Sequence, residues 1–208
     1  MNSYEIVFAL TPQEKIIASL KDPLEFIGWD DAEPIIFSYQ NNIIVIANGP
    51  TYFNIRDLRD FLKKVLNNEL LLHKSITEDI GYLVNEYHKN ETGFIIERFE
   101  NGFEAWVGYK YLLWYARAND EAYETWLYND HNKNIIFEIT PAYPYFYCDK
   151  KEEPNYVTYK KWIKIYKPYF KSIVPRNIAQ FWLEQAEFIV NAIDNNIIRW
   201  EKEQELKT

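Results

Sequence analysis

Three histidines, one cysteine and thirty-one acids are the raw material for chemistry in this chain, and their spacing commits them to none. His73, His88 and His131 form no HExxH or other metal-ligand pattern. His73 lies between two helical segments. His88 lies near a helix end, where a cation complements the dipole, and His131 lies in a turn. All three read as structural or solvated side chains. Cys148 would need the fold to bring a base such as His131 beside it. Its surroundings, YPYFYCDKK, carry no nucleophile signature, so it reads as a buried or half-buried structural thiol. None of the five serines sits in a GxSxG elbow. Six glycines supply neither GxGxxG nor GxxxxGK[ST], so no nucleotide cofactor is expected, and no metal.

Paired carboxylates are the least excluded enzymatic option. Glu97 and Glu104 flank Asn101-Gly102, three residues before the turn and two after it. A glycosidase-type pair would need both on one face of a cleft. Solvated strand carboxylates are the plainer expectation.

Charge is distributed unevenly. Asp22 to Ile55 holds five acids (Asp22, Glu25, Asp30, Asp31, Glu33), with Phe26 and Trp29 among them, and no Lys or Arg. Asn155 to Leu183 holds five lysines, Arg176 and no acid. Lys160, Lys164, Lys167 and Lys171 fall on one side of a helical pattern and form a secondary basic face. Fields of opposite sign beside aromatic residues suit recognition of another macromolecule. The acidic aromatic run 22–33 is therefore the expected partner-binding surface, and its partner is expected to be a basic protein.

The elements that must hold these residues follow from periodicity. Tyr4–Leu10 reads as a strand, and Thr11-Pro12 as the start of a helix running to about Leu20. Two β-branched runs around Asn41-Asn42 read as a hairpin. Asn54 and Thr77 read as caps of two further helices. Asn101-Gly102 carries the strongest hairpin signal, and a third hairpin turns near Asp130–Lys133. Tyr109–Arg117 fits strand or helix. Two helices close the chain, Thr158–Val174 with an interruption at Pro168, and Pro175 to about Trp200. Strands in adjacent hairpins predict an α+β fold, an antiparallel sheet with helices on one face. One domain is expected, with any subdivision near residues 148–155. IVFALTP (6–12) and IIFEITP (135–141) are alike, but one short echo is weak evidence of duplication.

The totals bound the function. A net charge of −8 and a pI near 5.0 argue against nucleic-acid binding. With 18% aromatic residues the chain can fill a core, which excludes global disorder. A lone cysteine, the absence of a signal-peptide pattern and the absence of a long apolar run lead to an expected cytoplasmic location without a membrane span. Small size, acidity, scarce cysteine and abundant aromatics are shared with bacterial immunity proteins, though no motif points to one family of them. The expected function is non-catalytic binding of another protein, in the manner of an immunity or antitoxin inhibitor. The alternatives are an enzyme or secreted effector with a carboxylate pair, and a homo-oligomeric structural subunit. A cleft with converging carboxylates or histidines would favour the enzyme. A flat acidic patch with exposed aromatics would favour binding, and a symmetric apolar patch a homodimer.

Overall fold

Strands β1 (Ser3–Thr11) and β2 (Glu14–Lys21) turn on Pro12 and Gln13, with Thr11 paired to Glu14. The helix expected from Thr11 to Leu20 is thus a strand. Its residues alternate: Ile16, Ala18 and Leu20 are buried, while Lys15, Ile17 and Ser19 are half-buried. That period of two overrides the local helix-start signal of Thr-Pro. The Thr11 hydroxyl accepts from the Gln13 N–H at 3.3 Å, so it stabilises the turn and caps no helix.

This computed structural model describes residues 3–21, 33–90, 92–99, 102–118, 121–146 and 155–206. Strands β3 (Ile35–Tyr39) and β4 (Asn42–Ala47) complete a four-stranded antiparallel meander in the order β1-β2-β3-β4. The β3–β4 turn is shifted by one residue from Asn41-Asn42. Gln40 and Asn41 take φ of 48° and 65°, and Asn42 already pairs with Tyr39. Two successive positive φ values match the twist of the strands.

Helix α1 (Thr51–Leu66) follows Pro50, so Asn54 lies inside the helix, its Nδ2 donating to the Asn48 carbonyl at 3.2 Å. Helix α2 (Ile80–Lys89) is capped by Asp79 instead of Thr77. The Asp79 carboxylate accepts from the Tyr82 N–H at 2.9 Å. Strands β5 (Ile96–Arg98) and β6 (Glu104–Trp106) form the hairpin expected around Gly102, whose φ is 81°. Asn101 lies outside the described residues. The 107–111 stretch is a 3-10 turn that runs into β7 (Leu112–Ala118), which resolves the ambiguous segment as turn, then strand.

Strands β8 (Glu121–Asn129) and β9 (Ile135–Ala142) form the third expected hairpin. Asp130 Oδ1 accepts from the Asn132 and Asn134 N–H groups, both at 2.8 Å, which closes the turn. Helix α3 (Tyr159–Trp162) is a single turn followed by a 3-10 turn, Ile163–Ile165. The chain then extends into β10 (Phe170–Val174), which pairs with β9 to give a second antiparallel sheet, β10-β9-β8-β7.

The penultimate helix expected over Thr158–Val174 is therefore mostly not a helix. Pro168 supplies no N–H and disfavours helical Lys167, and the open edge of β9 recruits residues 170–174. Pairing starts with the Tyr169 N–H donating to the Ile139 carbonyl at 2.9 Å. Lys160, Lys164, Lys167 and Lys171 consequently do not share one helix face: they fall on α3, the 3-10 turn, an extended segment and β10. Helix α4 (Arg176–Glu205) closes the chain.

One core runs through both sheets and the two long helices. Phe37 of β3 meets Phe137 and Phe170 at 5.7 and 4.7 Å between ring centroids. Trp182 of α4 lies 6.4 Å from Phe8 and 6.2 Å from Phe137, and its indole N–H donates to the Ala9 carbonyl at 3.0 Å. The other face of the second sheet carries polar side chains and is covered by α2. A Cβ on Gly81 of α2 would collide with Thr140 of β9 and Tyr166. The alike segments 6–12 and 135–141 occupy an outer strand of one sheet and an inner strand of the other, so the echo marks no structural repeat.

Candidate functional site

The polar face of the second sheet is built by register. Tyr115 on β7 pairs with Glu124 on β8, and Glu124 pairs with Thr140 on β9. Two residues on, Trp126 pairs with Glu138, which pairs with Lys171 on β10. Period-two alternation puts all of these on one face. Two acids on central strands are thereby buried, with Glu124 3% and Glu138 0% exposed.

Glu138 has partners on one oxygen, while its Oε1 is buried without a hydrogen-bond partner. Lys171 Nζ lies 2.9 Å from Oε2, and the Tyr128 hydroxyl donates to the same oxygen at 2.7 Å. Desolvation pushes its carboxyl up to about 7, with Lys171 pulling down and the nearby Asp79 carboxylate pushing up. Asp79 in turn accepts from the Tyr166 hydroxyl. One lysine of the expected basic face thus serves a buried acid.

Glu124 differs in having no cation against it. Its Oε2 is buried and meets no hydrogen-bond donor or acceptor. Desolvation alone pushes its carboxyl up to about 8, with no cation pulling it down. It lines a cavity of about 240 Å³ together with His88, Tyr109, Tyr115, Arg117, Tyr143 and Phe146.

Helix α2 sets one wall of this pocket. His88 in its last turn shares a 2.7 Å hydrogen bond with the Tyr109 hydroxyl, which the 3-10 turn brings alongside. Buried Asn85 staples α2 to β9. Its Nδ2 donates to the Gly81 and Pro141 carbonyls at 2.6 and 3.2 Å, and its Oδ1 accepts from the Tyr143 N–H at 2.8 Å. That last bond fixes the backbone carrying the opposite wall. Tyr143 is held at its far end by donating its hydroxyl to the Val157 carbonyl at 2.7 Å. Phe146 meets Tyr143 edge-on with ring centroids 5.0 Å apart, and lies tilted 5.1 Å from His88. Behind this wall lies a second cavity of about 280 Å³, lined by Tyr145, Tyr156, Tyr159 and Lys160 and sharing Tyr143 and Phe146 with the first. The aromatic run continues through Trp162 to Tyr166, with centroids 5.7 Å apart.

Of the acidic surface expected to bind a partner, Asp22, Glu25, Phe26, Trp29, Asp30 and Asp31 lie outside the described residues. Glu33 is exposed, and its carbonyl accepts from the Thr51 hydroxyl at 3.0 Å. Cys148 also lies outside the described residues. Glu97 and Glu104 do not form a pair. Glu97 faces Ala105 across the hairpin while Glu104 faces Arg98, so adjacent register positions send them to opposite faces. Glu97 lies 3.6 Å from Lys110 Nζ. Among the described residues, no three His, Cys, Asp or Glu side chains are grouped to hold a metal ion. No described helix is long and apolar enough to cross a membrane.

Neither Glu124 nor Glu138 was singled out by sequence reasoning. The usable signal was an acid inside a run that is apolar on both faces, EAYETWLYN and IIFEITPA, which marks a buried charge in an inner strand.

The fold and pocket define an antiparallel α+β protein with a half-enclosed aromatic site over a buried carboxyl. No family model matches the chain, and no curated protein or solved structure matches it.

Proposed function

We propose that the protein acts by binding another protein, and that the pocket over Glu124 is the centre of its recognition surface. The observation that carries this reading is Glu124, a buried acid with one unpartnered oxygen, in the lining of an aromatic cavity. A buried carboxyl without a partner costs free energy in the isolated protein, and an incoming polar group would recover it. The second cavity across the Tyr143–Phe146 wall supports a polypeptide ligand, since neighbouring side chains of one segment would fill neighbouring cavities. Tyrosine-rich surfaces with such pockets are favoured as interface hot spots. The acidic run 22–33 would add steering charge for a basic partner. An inhibitor of immunity type is one role that fits.

A photo-crosslinking residue at position 115, whose Tyr is 50% exposed at the pocket mouth, tests this in the native cell. The same residue at Ile198 on α4 is the control. The expected outcome is one discrete protein adduct from position 115 that is lost when Glu124→Gln is added. Equal labelling from both positions would overturn the reading.

One observation favours a second reading, acid–base catalysis. His88, hydrogen-bonded to Tyr109, and a carboxyl held protonated near neutral pH line the same cavity. Catalysis requires turnover of an added substrate that falls in both Glu124→Gln and His88→Phe. Binding requires a stoichiometric complex and no turnover.

A further inference from the structure

Resting on the binding reading above, we infer that the pocket over Glu124 takes an organic ammonium group on an alkyl stem, as carried by a lysine side chain. The floor and the walls each select for it. Glu124, a side chain 3% exposed with one buried oxygen that has no partner, is part of the cavity's lining. An ammonium offers that oxygen a donor together with the opposite charge, the combination that stabilises a buried carboxylate. The walls are aromatic, from Tyr109, Tyr143 and Phe146, and such rings attract a desolvated cation and pack against a methylene stem. The cavity, about 240 Å³, is large enough for a butyl-ammonium-sized group.

Arg117 does not occupy this role. It lies on the same face of β7 two positions beyond Tyr115, opposite Ala122, and is exposed. Among the described residues no cation lowers the affinity of Glu124 for its proton, so the floor is uncompensated. The groups around Glu124 are Tyr115 and Arg117 from β7, Thr140 from β9, His88 from α2, and Tyr109 and Tyr143 from the walls, with Tyr166 near enough to sense its charge.

Binding of a cation then requires Glu124 to ionise and release its proton. With that proton leaving at about pH 8, affinity should rise about tenfold per unit as pH increases from 5 to 7 and level off above 8. Alkylammonium probes keep their own charge throughout this range.

The test is calorimetric titration of the intact protein with Nα-acetyl-lysine amide, in buffers of differing ionisation enthalpy. We expect saturable binding, release of close to one proton at pH 7, the stated pH slope, and loss of at least tenfold in Glu124→Gln. Tyr143→Ala should also weaken binding severalfold. Nα-acetyl-norleucine amide, the neutral counterpart, should not bind. Tighter binding of the lysine amide than of n-butylammonium assigns the group to a polypeptide, and equal binding assigns it to a free amine, the chemistry being the same. Acetate binding in preference to either amine, or amine binding that is flat with pH or intact in Glu124→Gln, would overturn the inference. A crosslinked partner at position 115 with no amine binding would sink the ligand class and leave the binding reading standing.

Discussion

Lys171 Nζ sits 2.9 Å from Oε2 of Glu138, an exposed lysine on an outer strand reaching a wholly buried carboxyl on the neighbouring strand. The Tyr128 ring lies 5.9 Å from the same ammonium. The charge of Lys171 therefore belongs to the sheet. Removing it leaves Glu138 with Tyr128 as its remaining hydrogen-bond donor.

Lys171→Met keeps the stem and deletes the charge. Glu138 leaves its proton at about 7 in the folded protein, above its ordinary value of 4.5, so folding favours its protonated form. That contribution is complete below pH 4.5 and is lost as pH rises through 7. Without Lys171 the ionised form is harder still to hold. The variant should match the parent near pH 4.5 and lose about 1–2 kcal/mol at pH 8, the half-exposed lysine setting the low end. Urea titrations at the two pH values measure this, and an equal loss at both would contradict the assignment.

Glu124→Gln should stabilise the protein in alkali. Glu124 is also raised, to about 8 from 4.5, so parent stability declines between these values as folding must either retain a proton or bury a charge. Glutamine has nearly the same shape and no proton to lose. The two proteins should melt together at pH 4.5 and diverge progressively above it, at up to roughly 1.4 kcal/mol per pH unit. Thermal melts across pH 4.5–9 would show it. Parallel curves would mean that Glu124 is not held neutral.

Gly81→Ala should be destabilising although alanine is the better helix former. A Cβ there meets Thr140 and Tyr166, so α2 must move off the sheet. The expected loss is about 1–3 kcal/mol, against a helix-propensity gain of about 1 kcal/mol at an open site. Asn85→Ala would loosen the same joint through its lost bonds to Pro141 and Tyr143. Chemical denaturation measures both.

The β3–β4 turn can be improved. Gln40 adopts a φ of 48° that favours Asn or Gly, and Asn41 follows at 65°. Gln40→Asn with Asn41→Gly should raise stability by about 0.5–1 kcal/mol, because the turn type then matches the residues. Its cost is the bond from Gln40 to the Tyr39 hydroxyl, which is exposed. A lower melting temperature would contradict the turn assignment.

Sequence periodicity carried the architecture wherever neighbours in the chain are neighbours in space. The Asp130–Lys133 turn, the Gly102 hairpin and the last helix were all legible, and Trp182, Ile189 and Ile193 of that helix are in the core. Phe181 and Phe188 on the same helix are 52% and 77% exposed. Local reasoning failed where a distant strand decided the outcome. The 159–174 segment has a helical pattern, but β9 offered it an edge, and β2 yielded to β1 and β3 in the same way. The pocket was illegible because its members come from α2, the 107–111 turn, β7, β8, the end of β9 and the segment after it, brought together by register, by Asn85 and by the His88–Tyr109 bond.

Trp182 closes over the first sheet from 173 residues away, its indole bonded to the carbonyl of Ala9. That distance is a schedule for synthesis. Both meanders and α1 pair within themselves as they emerge, but Phe8 has no Trp182 to cover it until nearly the whole chain has been made. At about 5–20 residues per second the exposed face waits on the order of ten seconds or longer on the ribosome. Truncation before α4 would leave that face bare in every molecule, so the shortened chain should aggregate even though each of its hairpins is intact.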